Sequence, residues 1–264
     1  MARSKRKTIT HTDVIFHQKY KKRKLEIGIK IRKQPIGRRI AIGDIHGCYH
    51  TFESLVEDTI CLKQEDQLFL LGDYIARGPR NREVLDYIIE LQKEGFQIYP
   101  LMGNHEYFVL RDVKFCERSK NSDRIRDYIE SKDLLNLDNC VENKYLNFIQ
   151  NLPYYYELDN FILVHAGLDF EEENPLTDKM SMIYARNYVV DREKINGKII
   201  IHGHTPINLS EIQDQIRNHK KIGRINLDNG CVYKQYEVKK GKDLGRLCAL
   251  NLDNMELIIT ENID

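Results

Sequence analysis

From Arg39 onward the chain repeats one local plan, in which a short, β-branched apolar run gives way at once to polar or glycine-rich residues. The plan occurs in RRIAIGDIHG, QLFLLGDYIARG, FQIYPLMGNHE, NFILVHAG and KIIIHGHT. Such runs, roughly four to six residues long and ending in loops, predict buried strands, since a helix needs a longer periodic segment. Between them, Phe52, Leu55, Val56 and Thr59/Ile60 fall at helical spacing, as do Val84, Leu85, Ile88, Ile89 and Leu91. The second of these helices is expected to be capped by Asn81 and stopped near Gly95. Further upstream, the alternation in LEIGIKIRK, Leu25 to Lys33, predicts one more strand. Strand and helix therefore alternate, which predicts an α/β domain with functional loops at strand ends.

Charge divides the chain in two. Residues 1 to 39 hold 14 Lys/Arg against only Asp13 and Glu26, a balance of +12, leaving 27 bases and 38 acids, or −11, on the rest. A basic arm, residues 1–38, thus precedes an acidic body, residues 39–264. The plainer reading of the arm is a solvated surface or a tail that neutralises the body; the sharper one is contact with RNA, whose phosphates clustered Lys/Arg would neutralise. At 264 residues the chain suits one globular domain with or without an appendage. No run approaches the roughly eighteen apolar residues of a membrane span, and the N-terminus lacks a signal peptide's apolar stretch, so a cytoplasmic protein without membrane contact is expected. Cys48, Cys61, Cys116, Cys140, Cys231 and Cys248 form no CxxC pair and are expected to be reduced thiols, mostly packing.

The strand ends carry the candidate chemistry. In order they present Asp44 and His46, Asp73 and Arg77, Asn104 and His105, His165, then His202 and His204. Carboxylates, neutral imidazoles and an amide oxygen make a mixed hard and borderline donor set, suited to Mn, Fe, Zn or Ni rather than to a thiolate zinc cage. The set fits a pair of divalent ions with one carboxylate between them, and such pairs activate water toward phosphorus. Arginine adds a planar fork of donors matched to phosphate oxygens.

Taken together and in order, GDIHG (Gly43 to Gly47), GDYIARG (Gly72 to Gly78), GNHE (Gly103 to Glu106), HAG (His165 to Gly167) and GHT (Gly203 to Thr205) resemble the signature series of the calcineurin-like metallophosphoesterases, in their phosphoprotein phosphatase branch. That branch includes bacterial Ser/Thr protein phosphatases and symmetrical diadenosine tetraphosphate hydrolases. The resemblance runs from about Arg39 to the C-terminus and implies a sandwich of two β-sheets flanked by helices, an α/β four-layer fold with metals at the strand ends. It implies Asp44 and His46 as ligands of a first metal, Asp73 as the bridge, and Asn104, His165 and His204 as ligands of a second. It implies His105 as the general acid, Arg77 as the phosphate-holding arginine and Arg186, in MIYARNY, as a looser second match. Manganese is the expected metal, with Fe, Zn, Ni or Co as substitutes. His202 is expected to be structural, His11, His17, His50 and His219 carry no motif, and Tyr154, Tyr155 and Tyr156 are expected to be packed or on an edge strand.

Three departures narrow the expectation. The stretch from Leu110 to Leu152 is polar and helix-like, leaving the substrate-selecting wall unassigned. After NLDNGCVY, Asn226 to Tyr233, the basic KQYEVKKGKD intervenes where a short glycine turn is usual, as a hairpin extension. Ala76 stands where protein Ser/Thr phosphatases carry an aspartate that supports the catalytic histidine; GDYIARGP resembles instead the form found in diadenosine tetraphosphate hydrolases. A histidine without that carboxylate is a poorer proton source, which matters for a serine or threonine alkoxide and little for a nucleotide phosphate. The expected function is hydrolysis of phosphate esters or anhydrides, leaning to dinucleoside polyphosphates. A Ser/Thr or Tyr protein phosphatase is the alternative, and a non-catalytic RNA-binding protein on the same scaffold a third.

Overall fold

The computed structural model describes residues 27–119, 125–233 and 243–264. Two sheets face each other. One runs β1 (Gly28–Lys30), β5 (Tyr155–Glu157), β6 (Phe161–Val164), β7 (Ile199–His202) and β8 (Arg224–Asn226), in that order. The other runs β11 (Glu256–Glu261), β10 (Arg246–Asn251), β2 (Arg39–Ile42), β3 (Gln67–Leu70) and β4 (Gln97–Pro100), with the short β9 (Asp228–Asn229) also pairing β10. Strands β2, β3 and β4 are mutually parallel, as are β6, β7 and β8, so each set ends at one edge of its sheet.

Alternation along buried strands assigns their two faces. Ala41, Phe69, Leu163, Ile201 and Leu250 fill the space between the sheets. Ile40, Ile42, Leu68 and Leu70 point the other way and meet Phe52, Val84, Leu85, Ile88 and Val109 from the helices Tyr49–Ser54, Asn81–Lys93 and Asn104–Ser119. On the far side of the first sheet, Ile162, Val164 and Ile200 pack with Leu168, Met182 and Ile195. Both faces of these strands are covered, which is why the runs are continuously apolar rather than alternating; each fully buried Ile or Leu contributes roughly 1.5–3 kcal/mol. All six cysteines are free, and Cys48, Cys116, Cys231 and Cys248 are buried among the packing. Among the described residues, no helix is long and apolar enough to cross a membrane.

The expected helix around Phe52 and Val56 forms and passes into a π-helical turn over Leu55–Thr59. The expected cap of the next helix is corrected. Asn81 is its first residue and donates, through Nδ2, to Gly78 O and to Asp133, whereas Asp133 Oδ2 accepts the Arg82 N–H at 2.8 Å. The cap therefore comes from a distant segment, and Gly95, at φ +93°, follows the helix end. The stretch after Leu110 continues the helix Asn104–Ser119 and adds Ile125–Tyr128 and Asn143–Gln150, with Ile125, Ile129, Leu134 and Tyr145 buried. Within the basic arm, residues 1–26 lie outside the described residues. Strand β1 pairs in parallel with β5, and Arg38 pairs with Asp66 at 2.6 Å, so residues 28–38 are attached to the body. Tyr155 and Tyr156 lie in β5, between β1 and β6, and the Tyr156 hydroxyl donates to Pro100 O at 3.2 Å. Most of the basic extension, residues 234–242, is also outside the described residues.

Candidate metal centre

The ends of β2, β3 and β4 in one sheet converge with those of β6 and β7 in the other. The loops that follow are held in unusual backbone conformations: His46, Asp73, Ala76, Arg77 and His204 all have positive φ, between 49° and 75°. Non-glycine residues adopt such angles at a cost of about 1–3 kcal/mol, and a cluster of them marks a site whose geometry the surrounding fold imposes. Two glycines are required by close approach. A Cβ on Gly203 would fall on Asp44 Oδ1, and one on Gly103 would collide with Asp73.

Asp44, His46, Asp73, Asn104, His105, His165 and His204 are buried together at this convergence. Asp73 lies between two histidine groups. Oδ2 is 3.6 Å from His46 Nε2 and 3.9 Å from His105 Nε2, while Oδ1 is 3.4 Å from His165 Nε2. Ligand atoms of His46, Asp73 and His105 all lie within 4.8 Å of one another, and so do those of Asp73, His165 and His204. Asn104 Oδ1 completes the second group, 3.0 Å from His165 Nε2 and 2.8 Å from His204 Nδ1. Asp44 stands slightly apart: its carboxylate accepts the His204 N–H and lies 3.9 Å from His46 Nε2. Arg77 reaches His46 Nε2 at 3.0 Å and His105 Nε2 at 3.3 Å. Arg186 is exposed at the rim, 3.5 Å from Thr205 Oγ1. His202 belongs to neither group, and its Nδ1 faces Gly203 O at 3.1 Å.

The donors suit cations. His165 Nδ1 donates to Leu71 O at 2.8 Å and His46 Nδ1 to Ile75 O at 3.0 Å, which leaves Nε2 of each ring as a bare lone pair aimed inward. For His165 that lone pair meets the oxygens of Asn104 and Asp73 with no proton between them, an arrangement that a divalent ion stabilises and its absence does not. The His204 Nε2 atom is buried with no partner. Electrostatics point the same way. Burial raises the Asp44 carboxyl well above its usual range, reinforced by Asp228 and Asp73 beside it, and burial lifts Asp73 to about 7. Burial lowers His165 to about 4, and His105 and His204 to about 3, with Arg77 and neighbouring imidazoles adding to the effect. Carboxylates costly to ionise beside imidazoles costly to protonate are offset together by bound cations.

Sequence reasoning missed the groups that hold the loops. Glu106, fully buried, accepts the backbone N–H groups of Asp73 at 2.9 Å, Tyr74 at 2.9 Å and Gly103 at 3.1 Å, tying two motif loops together. The signal was its place in GNHE. Asp228, buried near Asp44, accepts the Gly230 N–H at 2.7 Å, and sits in the quoted NLDNGCVY stretch.

The sequence profile of the calcineurin-like phosphoesterases matches residues 37–233, most of the chain and every motif loop just described. The chain belongs to that family. A bis(5'-nucleosyl)-tetraphosphatase, symmetrical, from Erwinia tasmaniensis is 35% identical over 127 residues, 48% of this chain and 43% of that relative. The match thus spans less than half the length of the curated relative. Among solved structures, a protein serine/threonine phosphatase from Saccharomyces cerevisiae superposes with a TM-score of 0.57 at 14% identity, covering 96% of this chain and 87% of its own. A metallophosphoesterase from Sphaerobacter thermophilus does so at 0.51 and 15% identity, covering 86% and 88%. At these identities the structural likeness speaks for the fold: a mixed α/β sandwich flanked by helices.

Proposed function

We propose that this phosphoesterase-family chain is a two-metal hydrolase of phosphate esters and anhydrides that favours dinucleoside polyphosphates such as diadenosine tetraphosphate. The placement of Asp73 carries the reading, since its two oxygens face separate histidine groups, as would suit a carboxylate shared between two ions. Asp44, His46 and Asp73 would hold one ion, and Asp73, Asn104, His165 and His204 the other, with manganese the expected metal and Fe, Zn, Ni or Co as substitutes. When bound, the ions supply an activated water and Lewis-acid stabilisation of phosphoryl oxygens. Arg77, directed into the centre, clamps the phosphate as a planar fork of donors, and Arg186 approaches from the rim. His105, when protonated, would supply the leaving oxygen with a proton through Nε2, the nitrogen that faces Asp73 and Arg77.

Burial and Arg77 keep the His105 ring neutral at rest, and Ala76 places no carboxylate on the loop beside it. A proton source of this kind serves a nucleotide phosphate leaving group better than an alkoxide. The name of the Erwinia relative supports the same substrate class. On this basis His105→Ala should lower turnover of a phosphoserine peptide by about 10²–10⁴-fold and affect diadenosine tetraphosphate far less, because a general acid matters most where the leaving group is poor. Steady-state rates on both substrates, with metal content measured in the same samples, check this; equal losses would favour the protein phosphatase reading. The basic residues before Ile27, though outside the described residues, support a further element of the proposal: contact with RNA through the arm.

A further inference from the structure

We infer that Phe115 and Tyr128 form a stacking shelf for the purine base of the departing nucleotide, with Arg111 placed between them and the metal centre to meet its phosphate. The inference rests on the dinucleotide reading above and adds a subsite to it. His105, Phe108, Asp112 and Phe115 recur at helical spacing in the helix Asn104–Ser119, with Arg111 alongside, so they form one stripe that starts at the centre and runs outward. The rise of the helix from His105 to Phe115 is about 15 Å. Two phosphates, a ribose and a purine laid end to end cover a comparable length.

The surface along the stripe suits such a chain. At its inner end a cavity of about 130 Å³ opens beside His105, lined by Ala76, Phe108, Arg111, Asp112 and Tyr128 among others. Ala76 contributes only a methyl group, which leaves that space open. Arg111 stacks on the Phe108 ring, with Cζ 4.5 Å from the centroid. Asp112 Oδ1 accepts from its Nε at 2.9 Å and lies 2.8 Å from Nη2, which fixes the plane of the guanidinium and turns Nη1 to a phosphate oxygen. Further out, Phe115 and Tyr128 meet edge to face with centroids 5.6 Å apart, and they stay 54% and 50% exposed. Two large rings left half in water at the end of a groove offer faces on which a base can stack. The carboxylates beside the cavity do not bar an anion: Asp112 is neutralised by Arg111, and Glu130 is 62% exposed, so solvent screens it.

Two ligands test this by titration calorimetry on the full chain with saturating manganese: ADP, the product of symmetrical cleavage, and pyrophosphate, which keeps the two phosphates and lacks the base. ADP should bind about tenfold more tightly than pyrophosphate, or better. Phe115→Ala and Tyr128→Ala should each weaken ADP by about fivefold or more and leave pyrophosphate within about twofold, the effect of losing a stacked ring. Tyr128→Phe, which keeps the ring, should bind ADP as the wild type does, and Arg111→Gln should weaken both ligands. With diadenosine tetraphosphate as substrate, the alanine variants should raise KM rather than lower kcat. Equal wild-type affinity for ADP and pyrophosphate, or alanine variants that weaken both alike or neither, overturns the shelf. The two readings fail separately. Base-dependent ADP binding without cleavage of diadenosine tetraphosphate would overturn the hydrolase reading and keep the subsite, whereas cleavage without base dependence would overturn the subsite alone.

Discussion

Asp73→Asn keeps the size of the side chain and removes the negative charge that both histidine groups face. It should therefore weaken both metal sites, whereas Asn104→Ala removes the oxygen that His165 and His204 approach and should weaken the second alone. Metal content of the purified variants checks this; an Asp73→Asn protein with two ions and full turnover would remove the bridging assignment. At this scale the sequence was informative where a polar residue follows a buried strand within one to four residues, because the apolar run fixes roughly where the strand ends and so which side chains lie at the edge. That covers Asp44, Asp73, Asn104, His165 and His204. It was uninformative for Glu106, which acts on the backbone of Asp73 and Tyr74, more than thirty residues away.

At the scale of elements, two parallel strand sets bring five loops to one place, and a few side chains keep the loops in register. Glu106 is the main tie, with three backbone N–H groups bound to one buried carboxylate. Glu106→Ala should leave those donors unsatisfied and cost about 3 kcal/mol or more of folding stability. Urea unfolding of the metal-free protein measures it, and a cost below about 0.5 kcal/mol would mean that the loops hold themselves. Strand positions were legible in the sequence because apolar runs such as FILV are buried on both faces. Helix boundaries were less so. The cap at Arg82 comes from Asp133, a contact between segments fifty-one residues apart, and no local pattern announces it.

For the molecule as a whole, charge asymmetry and catalysis are separable. Removing residues 1–26 spares β1 and the Arg38–Asp66 pair, and should leave turnover of para-nitrophenyl phosphate unchanged. If the arm holds RNA, the same deletion should abolish salt-sensitive RNA binding, with about one unit of salt slope lost per phosphate contact. Full-length protein without RNA affinity at moderate salt would end that part of the proposal. The α/β alternation was legible from the strands and their order and the paired sheets followed from the family resemblance, whereas the basic arm's partner was not legible, because clustered charge reports the sign of a ligand and little of its shape. The substrate decides the central claim. Initial rates of the manganese-loaded full chain should be measured side by side on diadenosine tetraphosphate and a phosphoserine peptide. A centre with a neutral His105 beside Ala76 predicts the higher kcat/KM on the dinucleotide, with activity lost on chelation and restored by metal; faster cleavage of the peptide, or turnover that survives complete removal of metal, would contradict it.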